Sequence, residues 1–331
     1  MGERGPDLQS VHSAYYGVRD FGPAVRALRD GLGWAVTEFD ALDEIDCEAL
    51  WGVESSAEIM TMSPDPGCAT GVVHLLRFDP SSTPSPRGAP PMTAYGNFGL
   101  SLYVLDTEAV VRRAVAAGAR LHGEITTFQV AGPAGPISKK GAMFEFPDDV
   151  NIIVTESSEA RWTWTWAHKP DAPVTEVHFF VYGAPDLDES LRWWGADGLG
   201  LPISHTAHVT TDLVAQMTGA GPGLDMTNGV TANDLTGRIE FVGPNVQLDS
   251  LDFDGREDLR NSQFPGLSLG LVLWRLVLPE RPESLADWAT SRHVRIERLP
   301  RRRRSPHFEG RAVGIASLPT GHRFQLEMPG C

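Results

Sequence analysis

The chain has 331 residues, of which 41% are hydrophobic and 21% are charged, as is typical of soluble globular proteins. This length is too great for one ordinary core and predicts two domains of roughly 150 residues each. The net charge of −15 argues against broad nucleic-acid binding, because phosphate contacts need a basic surface.

The compartment is predicted from apolar runs and cysteines. The first residues show no apolar core of a signal peptide, and no apolar run reaches the roughly 20 residues that a membrane helix needs. The cysteines (Cys47, Cys68 and Cys331) are few and far apart, which does not suit a disulfide framework or a cysteine zinc cluster. The sequence therefore predicts a cytoplasmic protein without a membrane partner.

The first stretch of the chain predicts a β-α-β-β-β module. Residues 10–18 alternate as a strand, and Pro23 to Leu32 predicts a helix that begins near a proline and ends at glycines. Strand-like runs then cover residues 34–39, 58–62 and 72–78. A loop rich in proline and serine follows the last of these strands.

The same order of elements returns three times. In the second module, Asp106 is placed to cap a helix from Glu108 to Ala117. The third and fourth modules begin with strands over 174–182 and 267–278, which lead into helices over 187–196 and 282–291. The bridge between the second and third modules is rich in tryptophan.

The two halves of the chain also share a sequence pattern. Val11-His12 and Val177-His178 both lead to a Tyr-Gly pair, then to an aspartate, then to a Gly-Leu-Gly sequence. A structural unit used twice explains this spacing. We therefore predict an N-terminal domain (1–157, with modules 10–80 and 94–156), a Trp-rich linker (158–173) and a C-terminal domain (174–331, with modules 174–250 and 266–328).

This order of elements, with Pro147-Asp148-Asp149-Val150-Asn151 before a final strand, resembles the vicinal oxygen chelate superfamily. That superfamily includes glyoxalase I, bleomycin-resistance proteins and extradiol dioxygenases. The resemblance covers about residues 10–328. It implies an α+β fold of two tandem domains, in which two consecutive modules form a curled mixed sheet around a small-molecule site. Four modules in one chain look like the extradiol dioxygenases.

The resemblance also implies a site for one divalent metal ion (iron, manganese, zinc or nickel), with ligands on first strands and a glutamate on a last strand. His178 lies near the expected ligand position, but a bulge is needed to turn its side chain inward. In the closing strand of the fourth module, Gln325 takes the family's glutamate position, and Glu327 follows on the same face. We predict His178 and Glu327 as catalytic residues and metal ligands.

The predicted ligand set is incomplete. The first strand of the fourth module carries no family-type ligand, so a third ligand would have to come from His205 or His208. Four further residues are predicted to contact the substrate, namely Phe180, Tyr182, Trp274 and Gln325.

The sequence thus predicts a protein that binds or converts a small apolar or aromatic oxygenated metabolite in a cup of the C-terminal domain. His178 would act as a general base or a lone metal ligand. Two alternatives stay open: a metal-free protein that sequesters a drug or metabolite, and a metal-dependent extradiol dioxygenase or glyoxalase-like lyase. An enzyme is favoured over a binding protein. Both a monomer and a homodimer are compatible with four modules in one chain.

Overall fold

The computed structural model of the chain describes residues 10–79, 94–132, 135–156, 163–209, 216–217, 226–231, 238–244, 258–260, 262–266, 268–302, 305–308 and 310–329. Strands of the first two modules are β1 (Val11–Gly17), β2 (Ala35–Leu42), β3 (Ala57–Ser63), β4 (Val72–Phe78), β5 (Gly96–Val104), β6 (Arg120–Leu121), β7 (Thr126–Gly132), β8 (Gly135–Phe146) and β9 (Val150–Glu156). Strands of the last two modules are β10 (Val174–Gly183), β11 (Ile203–Val209), β12 (Met226–Thr231), β13 (Arg238–Pro244), β14 (Gly270–Val277), β15 (Arg295–Arg302), β16 (Ala312–Ser317) and β17 (Arg323–Met328).

The helices are short and lie between the strands. They are α1 (Phe21–Arg26, continued by a π-helical turn, Ala27–Leu32), α2 (Glu44–Trp51), α3 (Thr107–Ala116), α4 (Trp164–His168), α5 (Leu187–Trp194) and α6 (Leu285–Ser291), with a 3-10 turn at Pro306–Phe308. In the described part of the chain, none of these helices has the length and apolar character needed to cross a membrane.

Two mixed sheets form the body of the protein, which confirms the predicted α+β fold. The 8-stranded sheet has the order β15-β16-β17-β14-β1-β4-β3-β2, and the 9-stranded sheet has the order β11-β12-β13-β10-β5-β9-β8-β6, with β7 paired to β8. The first module therefore shares a sheet with the fourth, and the second with the third. This corrects the expectation that the first two modules build one sheet and the last two build the other, and the division at residues 157 and 174 is not the boundary between the sheets.

The first and second modules meet through helices instead of strands. Gly31, in the π-helical turn, lies so close to α3 that an added Cβ would be 3.1 Å from the Cα of Ala114. The two sheets pack their inner faces against one shared apolar core, to which α1, α3, α5 and α6 contribute. We call the opposite face of each sheet its outer face.

Polar caps start the module helices where the sequence places them. Asp20, Asp106 and Asp186 accept hydrogen bonds from backbone N–H groups of α1, α3 and α5 at 2.8 to 3.0 Å. In the fourth module, Ser284 accepts a bond from the Asp287 N–H at 3.2 Å, so the helix begins at Leu285 and not at Pro282. The Trp-rich bridge contains a helical turn, α4.

Helix α2 was not predicted, although its signals are present. Asp43 accepts a hydrogen bond from the Asp46 N–H at 2.8 Å, and Gly52 ends the helix with φ +73°. The helix lays Leu50 and Trp51 against the outer face of the 8-stranded sheet.

Gly71 links the backbones of the two sheets. Its N–H donates to the His12 carbonyl at 2.8 Å, and its carbonyl accepts from the Val177 N–H at 2.8 Å. The residue has φ +72°, and an added Cβ would lie 2.5 Å from the Val177 oxygen. Both the backbone conformation and the space at this position therefore require glycine.

Gly71→Ala should lower the free energy of unfolding by about 2 to 4 kcal/mol, because the methyl group forces the two sheets apart. Gly118 is a matched control, since it also has positive φ (+103°) but no atom within 4 Å of an added Cβ. Gly118→Ala should cost only about 1 kcal/mol. Equal losses in urea unfolding of the two variants would contradict a steric link at Gly71.

Candidate functional site

On the outer face of the 8-stranded sheet, a buried ion pair joins two central strands. Arg275 on β14 donates from Nε to Glu327 Oε1 at 2.6 Å and from Nη2 to Glu327 Oε2 at 2.7 Å. Gln325 donates from Nε2 to the same carboxylate at 2.7 Å and to the Tyr15 hydroxyl at 3.0 Å. This network binds the Glu327 carboxylate within the protein.

His74 continues the network on β4. Its Nε2 lies 2.9 Å from the Ser13 hydroxyl and its Nδ1 lies 2.9 Å from the Thr61 hydroxyl. Burial, followed by the charges of His307 and Arg275, holds the pKa of His74 well below its usual range. The imidazole is therefore neutral at physiological pH and serves as a hydrogen-bonding bridge.

The segment Ser305–Phe308 covers this outer face. His307 Nε2 lies 3.0 Å from the Tyr15 hydroxyl, and its ring stands edge-on to that of His74, with centroids 4.5 Å apart. Asp40 accepts hydrogen bonds from the Ser305 hydroxyl and, at 3.0 Å, from the His307 N–H. Phe308 is fully buried, so the chain's own side chains fill this face.

A metal ion does not fit this cluster. The Arg275 guanidinium already holds Glu327 by two hydrogen bonds, and its Nη1 lies 3.4 Å from His74 Nε2. A metal ion placed between the carboxylate and the imidazole would meet this fixed positive charge. We therefore derive no chemical step through a metal ion here.

The outer face of the 9-stranded sheet is more open. A cross-strand row runs Arg238, Phe179, Ser101 and Ile153 over β13, β10, β5 and β9. Arg238, Phe179 and Ile153 each keep part of their surface accessible to solvent. The corresponding central positions of the 8-stranded sheet are buried, so among the described residues the second of these two faces keeps more accessible surface.

Aromatic rings gather next to this row. The Tyr103 ring lies 4.4 Å from that of His178 and 6.4 Å from that of Trp166, measured between centroids. His178 in turn contacts Phe179 at 4.0 Å. A hydrogen bond fixes the Trp166 ring, because its Nε1 donates to the Ala172 carbonyl at 2.8 Å. Tyr103, Trp166 and His178 are buried, so Phe179 is the ring of this cluster that keeps accessible surface.

The predicted irregularity at His178 is present. The register of β10 on β5 shifts between Val177 and Phe179, as the register of β1 on β14 shifts between Val11 and Ser13. His12 and His178, which occupy equivalent positions in the two halves of the sequence, thus lie at matching bulges. Burial, followed by the charges of Arg275 and Arg311, lowers the pKa of His12 to about 3.

Glu240 is a functional candidate that the sequence analysis missed. It lies opposite Val181 on β13, the last strand of the third module, and remains partly exposed. Burial raises the pKa of the Glu240 carboxyl to about 7, and the charge of Lys139 opposes this rise. Lys139 Nζ lies 5.4 Å from the centroid of Tyr103. A carboxyl with this pKa can accept or donate a proton at neutral pH.

The structure does not bring the predicted ligand pair together. His178 lies on β10 of the 9-stranded sheet, whereas Glu327 and Gln325 lie on β17 of the 8-stranded sheet. The physical reason is the pairing of modules, which sends the third and fourth modules to different sheets. Glu240 is the closing-strand carboxylate that shares a sheet with His178.

Phe180, Tyr182 and Trp274 lie between the sheets. Trp274 contacts Phe180 at 5.8 Å and Tyr182 at 5.9 Å, and His322 packs against Tyr182 at 4.4 Å. A cavity of only about 10 Å³ adjoins this group, at the end of the sheets near Arg260. These predicted substrate contacts therefore belong to the inner core, where there is no room for a metabolite.

Among the described side chains, one group of three carboxylates is close enough to hold a metal ion: Asp106, Glu108 and Glu156. Each already has a structural contact, since Asp106 caps α3, Glu108 pairs with Lys140 at 2.9 Å and Glu156 accepts from a backbone N–H at 3.1 Å. The group is a partly exposed acidic cluster whose members all serve structural contacts.

A family-type metal site on the outer face of the 9-stranded sheet lacks a third described ligand. His178 and Glu240 are the imidazole and the closing-strand carboxylate there, and three protein ligands are usual for a catalytic divalent metal. His205 and His208 lie on β11, but their side chains fall outside the described residues.

Solved structures with a similar fold span almost the whole chain. Glyoxalase I from Zea mays superposes with a TM-score of 0.61 at 12% identity, over 97% of this chain and 93% of that chain. A putative dioxygenase from Bacillus subtilis gives 0.57 at 12% identity, over 98% and 87%. No family model matches the sequence. No curated protein matches it either.

The Arg275–Glu327 pair can be tested by a double-mutant cycle. Arg275→Met should cost about 3 to 5 kcal/mol of stability, because it leaves a buried carboxylate without its main partner. The double variant Arg275→Met/Glu327→Leu should recover most of this loss. Arg120→Met, which removes the exposed partner of Glu145, should cost less than about 1 kcal/mol. A small loss in the Arg275→Met single variant would refute the assigned role.

The Glu240 carboxyl should leave a signature in the pH dependence of stability. Its pKa is about 7 in the folded chain against an ordinary 4.5, so the folded state binds the proton more tightly. Stability is therefore lost as the pH rises from about 4.5 to about 7. At about pH 4.5, Glu240→Gln should have the same free energy of unfolding as the wild type. At about pH 8, its free energy of unfolding should be about 1 to 3 kcal/mol higher than that of the wild type.

Urea unfolding at both pH values measures this difference. Glu145→Gln is the control, because Glu145 is an ion-paired carboxylate further along the same sheet. A pH-independent difference between Glu240→Gln and the wild type would contradict the raised pKa.

Proposed function

We propose that this chain, which has the tandem fold of the vicinal oxygen chelate superfamily, binds a small aromatic or apolar oxygenated metabolite on the outer face of its 9-stranded sheet. Glu240 transfers a proton to or from the bound molecule. The observation that carries the proposal is the position of Glu240, a partly exposed residue whose carboxyl has a pKa of about 7, on this outer face beside the aromatic cluster.

The contrast between the two outer faces supports this assignment. On the 8-stranded sheet, Glu327 is bound by Arg275, and Phe308 fills the space above the strands. On the 9-stranded sheet, Phe179 and Glu240 retain accessible surface. The proposed ligand would contact these accessible residues on the second face.

The chemistry follows from the groups around Glu240. As a carboxylate it would accept a proton from an acidic C–H or O–H group of the ligand, and as a carboxylic acid it would return that proton to a neighbouring atom. Lys139 and Arg238 stand on the same face and would stabilise negative charge on a ligand oxygen. Tyr103 and Phe179 would hold the apolar part of the molecule.

Sequestration without chemistry is the second candidate function. The observation in its favour is the aromatic cluster itself, since Phe179 keeps accessible apolar surface beside the buried rings of Tyr103 and Trp166. In that case Glu240 would only hydrogen-bond the guest. A metal-dependent dioxygenase or lyase would further require His205 or His208 as a ligand beside His178 and Glu240.

Hydrogen exchange in the bound ligand separates these functions. Phenacyl alcohol is a suitable probe, because it is aromatic, has two neighbouring oxygens and carries an exchangeable C–H group. In D2O, the wild type should speed deuterium uptake at this carbon, as followed by NMR. Glu240→Gln should lower that rate about 100-fold or more, because it removes the base.

Glu145→Gln serves as the control and should exchange the probe at the wild-type rate. Undiminished exchange in Glu240→Gln would overturn the role of this carboxyl. Binding of the probe without any exchange in the wild type would favour sequestration, and absence of both would remove the proposed site.

A further inference from the structure

We infer that the protein has a second ligand site, a groove at the end of β15, β16 and β17 that binds the phosphate group of a small organic molecule. The groove has a volume of about 390 Å³, which lies within the range of small-molecule sites. The lining residues on which the inference depends are His293, Arg295, Glu297, Ser317, Pro319 and Arg323. The groove is separate from the outer face of the 9-stranded sheet, so the inference does not depend on the proposed function.

A cross-strand row of hydrogen-bond donors lines the groove. Arg295 on β15 lies opposite Ser317 on β16, and Ser317 lies opposite Arg323 on β17. Because neighbouring strands are only about 4.8 Å apart, the two guanidinium groups flank one hydroxyl group. A phosphate monoester presents three acceptor oxygens, one more than a carboxylate, so it can accept hydrogen bonds from all three residues at once.

The two arginines of this row differ in their surroundings. Arg323 Nε lies 3.0 Å from Glu297 Oε2, and the guanidinium lies over the Phe264 ring, 5.4 Å from its centroid. These contacts fix the Arg323 side chain before a ligand arrives. Arg295 is exposed, and among the described side chains no carboxylate forms an ion pair with it. Two arginines therefore face one glutamate in the groove, which favours an anion.

The backbone at His293 gives independent support for a binding role. This residue follows α6 with φ +55°, at the position where a helix end commonly has glycine. The Val294 N–H donates to the Ala289 carbonyl at 2.8 Å across this end. A residue with a Cβ is disfavoured in the left-handed region, yet the chain has an imidazole here, beside the groove. Such a residue is a sign of a functional constraint.

The groove also has surface for the organic part of the ligand, which its volume requires. Pro319 is exposed at the turn between β16 and β17. The His293 ring is supported by Trp193, whose ring centroid lies 4.9 Å away. In the bound state, Pro319 would contact the organic part and an imidazole N–H of His293 would donate to a phosphate oxygen.

Phenyl phosphate is a suitable probe, because it joins a phosphate group to a small ring. Calorimetric titration at low salt should show one saturable site, with an affinity at least about 3-fold higher than that for inorganic phosphate, since the ring adds apolar contacts. Arg295→Gln and Arg323→Gln should each weaken binding of phenyl phosphate about 10-fold or more, because each removes a charge-assisted hydrogen bond.

Arg301→Gln is the matched control, since Arg301 is an exposed arginine on the same strand as Arg295 but does not line the groove. It should leave the affinity for phenyl phosphate unchanged.

His293→Gly should move two measurements in opposite directions. It should raise the urea concentration at the midpoint of unfolding, because glycine adopts positive φ without a steric cost. It should also weaken binding of phenyl phosphate at least about 3-fold, because the imidazole donor is lost. A gain in stability with undiminished binding would overturn the role of His293.

The other outcomes are equally distinct. Absence of saturable binding, or an equal loss of affinity in Arg301→Gln and Arg295→Gln, would overturn the inference. Binding that neither Arg295→Gln nor Arg323→Gln weakens would place the probe elsewhere and would also overturn it. Equal affinity for inorganic phosphate and phenyl phosphate would overturn the assignment of an organic ligand. The exchange assay with phenacyl alcohol decides the proposed function separately.

Discussion

The ion pair between Arg275 and Glu327 is the constraint that divides this molecule into two unlike halves. Two opposite charges on neighbouring strands of one buried face are tolerable only when each satisfies the other. Because the two charges neutralise each other, this face needs no bound ligand. Helix α2 and the Ser305–Phe308 segment cover it. The outer face of the other sheet keeps accessible surface at Phe179, Arg238 and Glu240. The location of the candidate site thus follows from which outer face the chain's own side chains fill.

The two sheets therefore use the closing strand of the module in two different ways. In one sheet its closing strand supplies a carboxylate that is fixed by arginine, and in the other it supplies Glu240, which remains able to gain or lose a proton. Both sheets keep a histidine at a bulge in a first strand, His12 in one and His178 in the other. The histidine position is shared, so the difference lies in the groups around it.

The sequence predicted the modules well, because strand alternation, aspartate caps and the repeat are local patterns. It did not predict the pairing of modules: all four first strands are apolar, and nothing in their alternation selects a partner. That choice separated His178 from Glu327 and left His178 with Glu240, the closing-strand carboxylate of its own module. Arg275 was overlooked for a related reason. A single arginine within an apolar strand gives no sign of its partner until the neighbouring strand is known.

The arrangement of modules also constrains the order of assembly. The 9-stranded sheet uses strands up to Pro244, so it can form while the rest of the chain is still being synthesised. The 8-stranded sheet cannot be completed until β14 and β17 have been synthesised. Until then, the edge of β1 that pairs with β14 has no partner strand. Contacts so distant in sequence carry a large loop-closure entropy and slow folding. The more open sheet is thus the one that can be completed first on the ribosome, and the sealed sheet joins the early and late parts of the chain.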